Sequence, residues 1–352
     1  MKGTDQMNHQ YNLQFEKLCD TLKLGEIIKT PEIISGGLLH RMFAIETTKG
    51  KYAVKALNPQ IMARPTALHN YIQSERIANI AYNSSPVQPA KTIDGKFIQS
   101  IDDQFYLIFD WIEGYTLKSH QINITHCKKI ASILAGIHKT DFSQIENNNN
   151  SFDNTKESDW NFYLSKGKAI NSVWVNLLHE NIEQLFVWSD KAKRSFRMLA
   201  SEMVIGHRDL EPKNVMWFQE NPIIIDWESA GFINPKHDLI ETAIYWSVNE
   251  VGSIDKERFL AFIDGYQTGI GIINADWRKI LEHGFLSKLD WLEYSLKRSL
   301  RIECTDENEQ EMGTLQVTGT INALKQYEEM VSELETWLNN NLSKFEEDTD
   351  IL

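Results

Sequence analysis

The chain has 352 residues, 42 % of them hydrophobic and 24 % charged, with a formal net charge of −13. That length and composition fit a soluble globular protein of two lobes, and the excess of acid excludes phosphate-backbone binding through clustered Lys and Arg. No stretch reaches the roughly eighteen apolar residues that span a bilayer, and the first residues lack the apolar core of a signal peptide, so a cytoplasmic protein with no membrane or nucleic-acid partner is expected.

From Glu32 to Leu57 the sequence "EIISGGLLHRMFAIETTKGKYAVKAL" carries turn signals at Gly36-Gly37 and Lys49-Gly50. With the period-two alternation of "KYAVKAL" they predict an antiparallel meander. Pro65 to Tyr82 has Leu68, Ile72, Ile77 and Ile80 at helical spacing behind a Pro-Thr start and predicts one helix. Strands are expected at Lys96 to Ser100 and at "QFYLIFDWI", Gln104 to Ile112. After Gly114 the pattern turns helical, beginning with the amphipathic "ITHCKKIASILAGIHKT". Helical patterns then fill Trp160 to Ser201, Leu239 to Val248, Glu257 to Tyr266, Trp277 to Ile302 and Thr314 to Phe345. The Asn-rich run Glu146 to Asp159 is expected to be a mobile surface loop. Cys19, Cys127 and Cys304 fall outside any C-x-x-C spacing and suggest neither disulfides nor zinc. The expected fold class is α+β and bilobal. Residues 1–112 would form a small antiparallel-sheet lobe with one inserted helix, and residues 113–352 a large, mostly helical lobe.

The chemistry concentrates in "IGHRDLEPKNVMWFQENPIIIDWESAG", Ile205 to Gly231. Asn214 to Phe218 and Pro222 to Asp226 read as two short strands joined by a polar turn in which Asn221 takes positive φ. If Phe218 faces Pro222, Asn214 lies opposite Asp226, and a bulge would move that register by one residue. An amide oxygen beside a carboxylate suits a hard cation such as Mg²⁺, whose other ligands are waters or phosphate oxygens. Asp209 stands five residues before Asn214, on a loop that Pro212 keeps out of helix. A carboxylate so placed orients a hydroxyl and takes its proton in phosphoryl transfer, while His207 orders the loop. A lone H-R-D or D-W-E is common by chance. The full H-R-D-L-x-x-x-N followed by an apolar strand and an aspartate matches a phosphoryl-transfer signature at every fixed position.

On "HRDLEPKN" and "IIIDWE" the chain resembles the aminoglycoside phosphotransferase and choline kinase family, small-molecule relatives of protein kinases, from about Ile33 to Leu300. The resemblance implies a protein-kinase-like fold, Asp209 as catalytic base, Asn214 and Asp226 as Mg²⁺ ligands, and ATP or GTP as phosphoryl donor. Lys55 in "YAVKAL" stands where a lysine contacts the α and β phosphates, and Glu75 in "IQSERIANIA" is its expected ion-pair partner. "FYLIFDWIEG" resembles the hinge strand, whose backbone from Asp110 to Ile112 would hydrogen-bond the adenine. The loop "SGGLLHRMF" lacks G-x-G-x-x-G, so the covering amides are assigned to Ser35, Gly36, Gly37 and their neighbours. Asp238 resembles a structural aspartate that steadies the catalytic loop.

Asp238 follows Asp226 by only twelve residues, which leaves little room for a peptide platform. A small-molecule alcohol is therefore the expected acceptor, with no obligate protein partner. Glu228, Glu241, Asp290 and Glu293 stand in segments rich in aromatics, a combination that suits an amine-bearing acceptor. An aminoglycoside is favoured, which would make the protein an antibiotic-resistance enzyme. Choline, homoserine, methylthioribose and macrolides are alternatives, and so is a catalytically silent nucleotide-binding module. Intact Lys55, Glu75, Asp209, Asn214 and Asp226 speak against the silent module.

Overall fold

The computed structural model describes residues 11–34, 39–146 and 158–349. Ser35, Gly36 and Gly37, expected to cover the phosphates, lie outside the described residues, as does most of the Asn-rich run. The chain divides into two compact units, Met1–Lys118 with Asp209–Ala230, and Ser119–Arg208 with Gly231–Leu352.

In the first unit, β1 (Glu32–Ile34), β2 (Arg41–Thr47), β3 (Gly50–Ala56), β4 (Ile98–Ile101) and β5 (Gln104–Asp110) form one antiparallel sheet in the order β1-β2-β3-β5-β4. Side chains alternate across a pleated strand, and β5 buries both sets. Tyr106 and Ile108 join a core with Phe43, Ile45, Val54 and Leu18 of helix α1 (Phe15–Thr21). Leu107 and Phe109 join a second core with Ile61 of α2 (Pro59–Met62) and Tyr71 of α3 (Ala67–Ala81). The expected meander and helix are therefore present. Helix α1 was not expected, because its two turns are too short for periodicity to register.

The segment Asp209–Ala230 groups with the sheet-bearing unit, although the sequence pattern placed it with the helical residues. The reason is pairing. Strand β6 (Tyr115–Thr116) pairs with β8 (Val215–Phe218), β8 pairs with β9 (Asn221–Ile224), and Ile224 bridges to Val87 in parallel.

The β8–β9 hairpin corrects the expected register by one residue: Phe218 faces Asn221 and Val215 faces Ile224. The turn is a two-residue one, with Gln219 and Glu220 both at positive φ, +48° and +64°. A right-handed strand twist favours that turn geometry, so Asn221 begins β9 instead of closing the loop. Asn214 stands opposite Ile225, whose N–H donates to the Asn214 carbonyl at 3.0 Å, and Asp226 follows directly.

The second unit is helical. It contains α4 (Ile124–Lys139), α5 (Trp160–Ala169), α6 (Val175–Glu180), α7 (Ile182–Leu199), α8 (Pro235–Ser247), α9 (Lys256–Ile270), α10 (Trp277–His283), α11 (Phe285–Ser299) and α12 (Glu307–Thr349). Strands β7 (Val204–Gly206) and β10 (Gly231–Ile233) pair antiparallel. The expected continuous pattern from Trp160 to Ser201 breaks into three helices, and Trp174 packs so close to Gly167 that a Cβ there would lie 2.3 Å from the indole. Gly284 separates α10 from α11 and is held against the Tyr327 hydroxyl.

Non-glycine residues in the left-handed region cost roughly 1–2 kcal/mol each. Replacing Gln219-Glu220 by Asn-Gly should therefore stabilise the protein by about 1 kcal/mol, read as a rise of about 2–4 °C in melting temperature. A melting temperature that stays level or falls would refute the two-residue turn.

Candidate active site

Strand β3 ends in the buried run Val54, Lys55, Ala56, so the Lys55 ammonium enters the protein instead of solvent. A buried ammonium needs anionic partners. The structure supplies two: Asp226 Oδ1 at 2.6 Å and Glu228 Oε2 at 2.9 Å. Both come from one tight segment. Asp226 sits in the left-handed region at φ +61° and leads into a single 3₁₀ turn, Trp227–Ser229, which packs against α3. Burial acts to discharge Lys55, but the two carboxylates override it and hold the ammonium charged.

The expected Lys55–Glu75 pair is absent, and the structure corrects it. Glu75 is buried on α3, and its Oε2 accepts the Ala90 N–H at 2.7 Å. Lys55 is already saturated by the nearer carboxylates of the 226–228 segment. Burial raises Glu75 to about 7, and the charges of Asp226 and Glu228 push the same way. Glu228, one of the residues expected near the acceptor, is instead the ion-pair partner of Lys55.

Glu228 has further neighbours that sequence reasoning missed. His40 Nε2 lies 3.4 Å from Glu228 Oε2 and 2.5 Å from the Tyr71 hydroxyl. The Asn58 backbone N–H donates to His40 Nδ1 at 2.8 Å, which places the ring proton on Nε2. Burial, followed by the charge on Lys55, lowers His40 to about 3 and keeps the ring neutral. His40 directly follows the glycine-containing loop, and that position was the one available signal.

Asp209 and Asn214 are joined directly. The Asn214 amide nitrogen donates to the Asp209 carbonyl at 2.8 Å and to its Oδ2 at 2.9 Å. Pro212 starts a 3₁₀ turn over Pro212–Asn214 and so bends the loop back on itself. Lys213 reaches Glu211 at 3.0 Å and Asp209 at 3.9 Å. Burial, then the adjacent Glu211 carboxylate, raises Asp209 to about 8 against the pull of Lys213.

The site therefore gathers Glu75, Asp209, Glu211, Asp226 and Glu228 around Lys55 and Lys213, a local surplus of acid. Among the described residues no cluster of three or more His, Cys, Asp or Glu could hold a metal by itself. The donor set still fits Mg²⁺. Both contacts of the Asn214 amide nitrogen go to Asp209, leaving its oxygen as the cation donor beside the Asp226 carboxylate, and remaining positions would fall to phosphate oxygens and water.

At the expected hinge the Asp110 carbonyl accepts the Gln88 side-chain amide at 2.5 Å, and the Trp111 N–H donates to the Lys51 carbonyl at 3.2 Å. Ile112 follows as the next residue of the connection.

In the second unit His207 is fully buried just after β7. Asp238, also buried, accepts from His138 Nε2 at 2.9 Å, and a Cβ on Gly206 would come within 2.3 Å of its Oδ2. Asp238 thus packs directly behind the strand that leads into His207. Of the acceptor candidates in this unit, Glu241 is buried and accepts from Ser287 at 2.6 Å. Glu293 accepts from Ser158 at 2.5 Å and Tyr163 at 2.7 Å and pairs with Lys297 at 3.2 Å. Asp290 is exposed and makes no hydrogen bond or ion pair among the described residues. The protein mass around it, then the Glu293 charge, raises it to about 6.

The model of a phosphotransferase enzyme family matches residues 30–280. Among solved structures, the chain is similar to a spectinomycin phosphotransferase in complex with ADP and spectinomycin, with a TM-score of 0.63 and 14 % identity over 90 % of this chain and 99 % of that one. It is similar to a microcompartment-associated aminopropanol kinase, with a TM-score of 0.60 and 13 % identity over 90 % and 98 %. It is also similar to the ethanolamine kinase of Plasmodium vivax, with a TM-score of 0.56 and 18 % identity over 85 % and 83 %. No curated protein matches the chain. At such identities the likeness is one of fold, a kinase-like one.

Because Glu75 has a raised folded-state pKa, its contribution to stability is fully present below the unfolded value near 4.5 and is lost as pH rises through about 7. Glu75→Gln keeps an oxygen for the Ala90 N–H without this loss. The stability difference between variant and wild type should therefore move in the variant's favour by on the order of 2–3 kcal/mol between pH 4.5 and 7.5. Denaturant melts that stay parallel across this window would refute the buried, uncompensated state of Glu75.

Proposed function

The chain belongs to the phosphotransferase enzyme family, a family of small-molecule kinases, and on that premise we propose that it moves the γ-phosphoryl group of ATP, or of GTP, to a hydroxyl of a small amine-bearing molecule. The observation that carries the proposal is the gathering of Lys55, Asp209, Asn214 and Asp226 in one compact unit, with Asn214 clamped onto Asp209 and Asp226 two residues from the second anchor of Lys55.

In this proposal Lys55 holds the α and β phosphates and disperses their charge. Asn214 and Asp226 hold Mg²⁺, which when bound would neutralise charge on the phosphate oxygens. Asp209 accepts the hydroxyl proton at its carboxylate as the acceptor oxygen forms its bond to phosphorus and the nucleoside diphosphate leaves. Asn214 fixes the carboxylate in one orientation through Oδ2, so little reorganisation is needed when the proton arrives. Asp238 and His207 support the strand from which the loop departs.

For the acceptor we assign Asp290 as the anchor of its ammonium group, on the ground that it is the accessible and unpartnered carboxylate of the four expected ones. Glu241 and Glu293 act as structural neighbours. ADP and spectinomycin accompany the similar spectinomycin phosphotransferase, and the other two neighbours are named as kinases of small amino alcohols. Their chemistry agrees with an amine-bearing alcohol.

The test is Mg²⁺-dependent release of ADP or GDP against aminoglycosides, choline, ethanolamine, aminopropanol, homoserine, methylthioribose and macrolides. Asp209→Asn should lower kcat by about 10²- to 10⁴-fold while the dissociation constant of Mg-ATP stays within about threefold. Acceptor-stimulated turnover that survives Asp209→Asn would sink the assignment. Asp290→Asn should raise KM for a cationic acceptor by about tenfold with kcat little changed, as loss of one charge-assisted contact predicts. An unchanged KM would move the ammonium site elsewhere.

A further inference from the structure

In a kinase-like site the phosphate-binding lysine has to be held where the phosphates arrive, and an acid on the small-lobe helix is the position sequence order suggests. Here that acid, Glu75, is committed to the Ala90 N–H at 2.7 Å, and it makes no ion pair with Lys55. Lys55 is held from within the catalytic hairpin, by Asp226 at 2.6 Å and Glu228 at 2.9 Å. Only one of these two carboxylates is uncommitted to the cation of the proposed mechanism. A divalent cation shared with Asp226 repels the ammonium and draws on the same lone pairs, which weakens the Lys55–Asp226 contact when the site is loaded.

We propose that Glu228, with His40 beside it, is the positioning residue that keeps Lys55 in place in the loaded site, and that Glu75 has no share in this task. The proposal rests on the phosphotransferase function given above and deepens it. Three observations support it. Glu228 Oε2, the atom that binds Lys55, also faces His40 Nε2 at 3.4 Å. The Asn58 N–H on the opposite side of the ring leaves the single ring proton on Nε2, which meets the Tyr71 hydroxyl at 2.5 Å with the Glu228 carboxylate beside it at 3.4 Å. The 3₁₀ turn that carries Glu228 packs on α3, while Glu75 of that helix is turned to the Ala90 N–H. The position of Lys55 is therefore set by the hairpin that also carries the cation ligands, and not by an ion pair to Glu75.

The experiment compares Mg-ATP and adenosine binding by the full-length wild type, Glu228→Gln, Glu75→Gln, Lys55→Ala and the double variant Lys55→Ala/Glu228→Gln, by calorimetry, so no acceptor need be known. Glu228→Gln should weaken Mg-ATP about tenfold and adenosine by less than about twofold, because its effect passes through a lysine that touches only phosphates. Glu75→Gln should leave both within about twofold. The double variant should bind Mg-ATP no worse than Lys55→Ala alone, the non-additivity of two residues acting as one unit. If Glu228→Gln fails to fold, Glu228→Asp restores the charge at shorter reach and should give a smaller loss confined to Mg-ATP. Equal losses from Glu75→Gln and Glu228→Gln, or additive losses in the double variant, would overturn the proposal and leave the phosphotransferase reading standing. A wild type that binds no Mg-ATP would overturn both.

Discussion

The buried ammonium of Lys55 is the constraint on which the site depends. Taking a lysine out of water costs several kcal/mol unless anions meet it at short range. The chain meets it with two carboxylates drawn from a single turn 171 and 173 residues further on. Asp226 reaches the ammonium because its backbone adopts a left-handed conformation, φ +61°, which a non-glycine residue takes up at a cost. That turn reverses the chain so that residues two apart in sequence present their carboxylates to one cation. The ion pairs then join β3 to the hairpin and fix Asp226 relative to the Asn214 backbone through Ile225.

A second consequence is electrostatic. The residues gathered in the same unit carry more acid than base, and burial keeps water from screening the excess. Glu75 rises to about 7 and Asp209 to about 8, in each case through burial first and neighbouring carboxylates next, and Glu228 rises in the same direction despite its lysine. Part of this acid is therefore held protonated in the ligand-free site, and a divalent cation bound there would favour its ionised form. The crowding follows from how α3, the loop from Asp209 to Asn214 and the turn from Asp226 to Ser229 converge on Lys55.

Much of this was legible in the sequence because the signals are local. The meander, the helix α3 and the hinge strand follow from alternation and spacing, and the spacing of Asp209, Asn214 and Asp226 singled out the three residues the structure brings near one another. What was not legible depended on tertiary competition. The hairpin register shifted by one because Gln219 and Glu220 adopt positive φ without the Asn or Gly that would announce it. The break after Ala169, where Trp174 folds back on Gly167, and the break at Gly284, where Tyr327 arrives from α12, depend on packing. Among Glu228, Glu241, Asp290 and Glu293, sequence could not separate structural acids from an accessible one, because that depends on which hydroxyls and lysines lie within 3.5 Å.

The partner of Lys55 shows the same limit most sharply. Order along the chain nominated Glu75: sheet lysine, then helix acid, ahead of the strand Gln104–Asp110 and the hairpin. Yet an ion pair is decided by distance and by the alternatives open to each group. Glu75 accepts the Ala90 N–H, and although that bond favours its charged form, burial prevails and raises it to about 7. Lys55 has two carboxylates at 2.6 and 2.9 Å. A half-neutralised acid binds an ammonium more weakly than an ionised one. The hairpin therefore wins the lysine, and α3 is left to anchor the segment around Ala90 and to pack against the turn that displaced it.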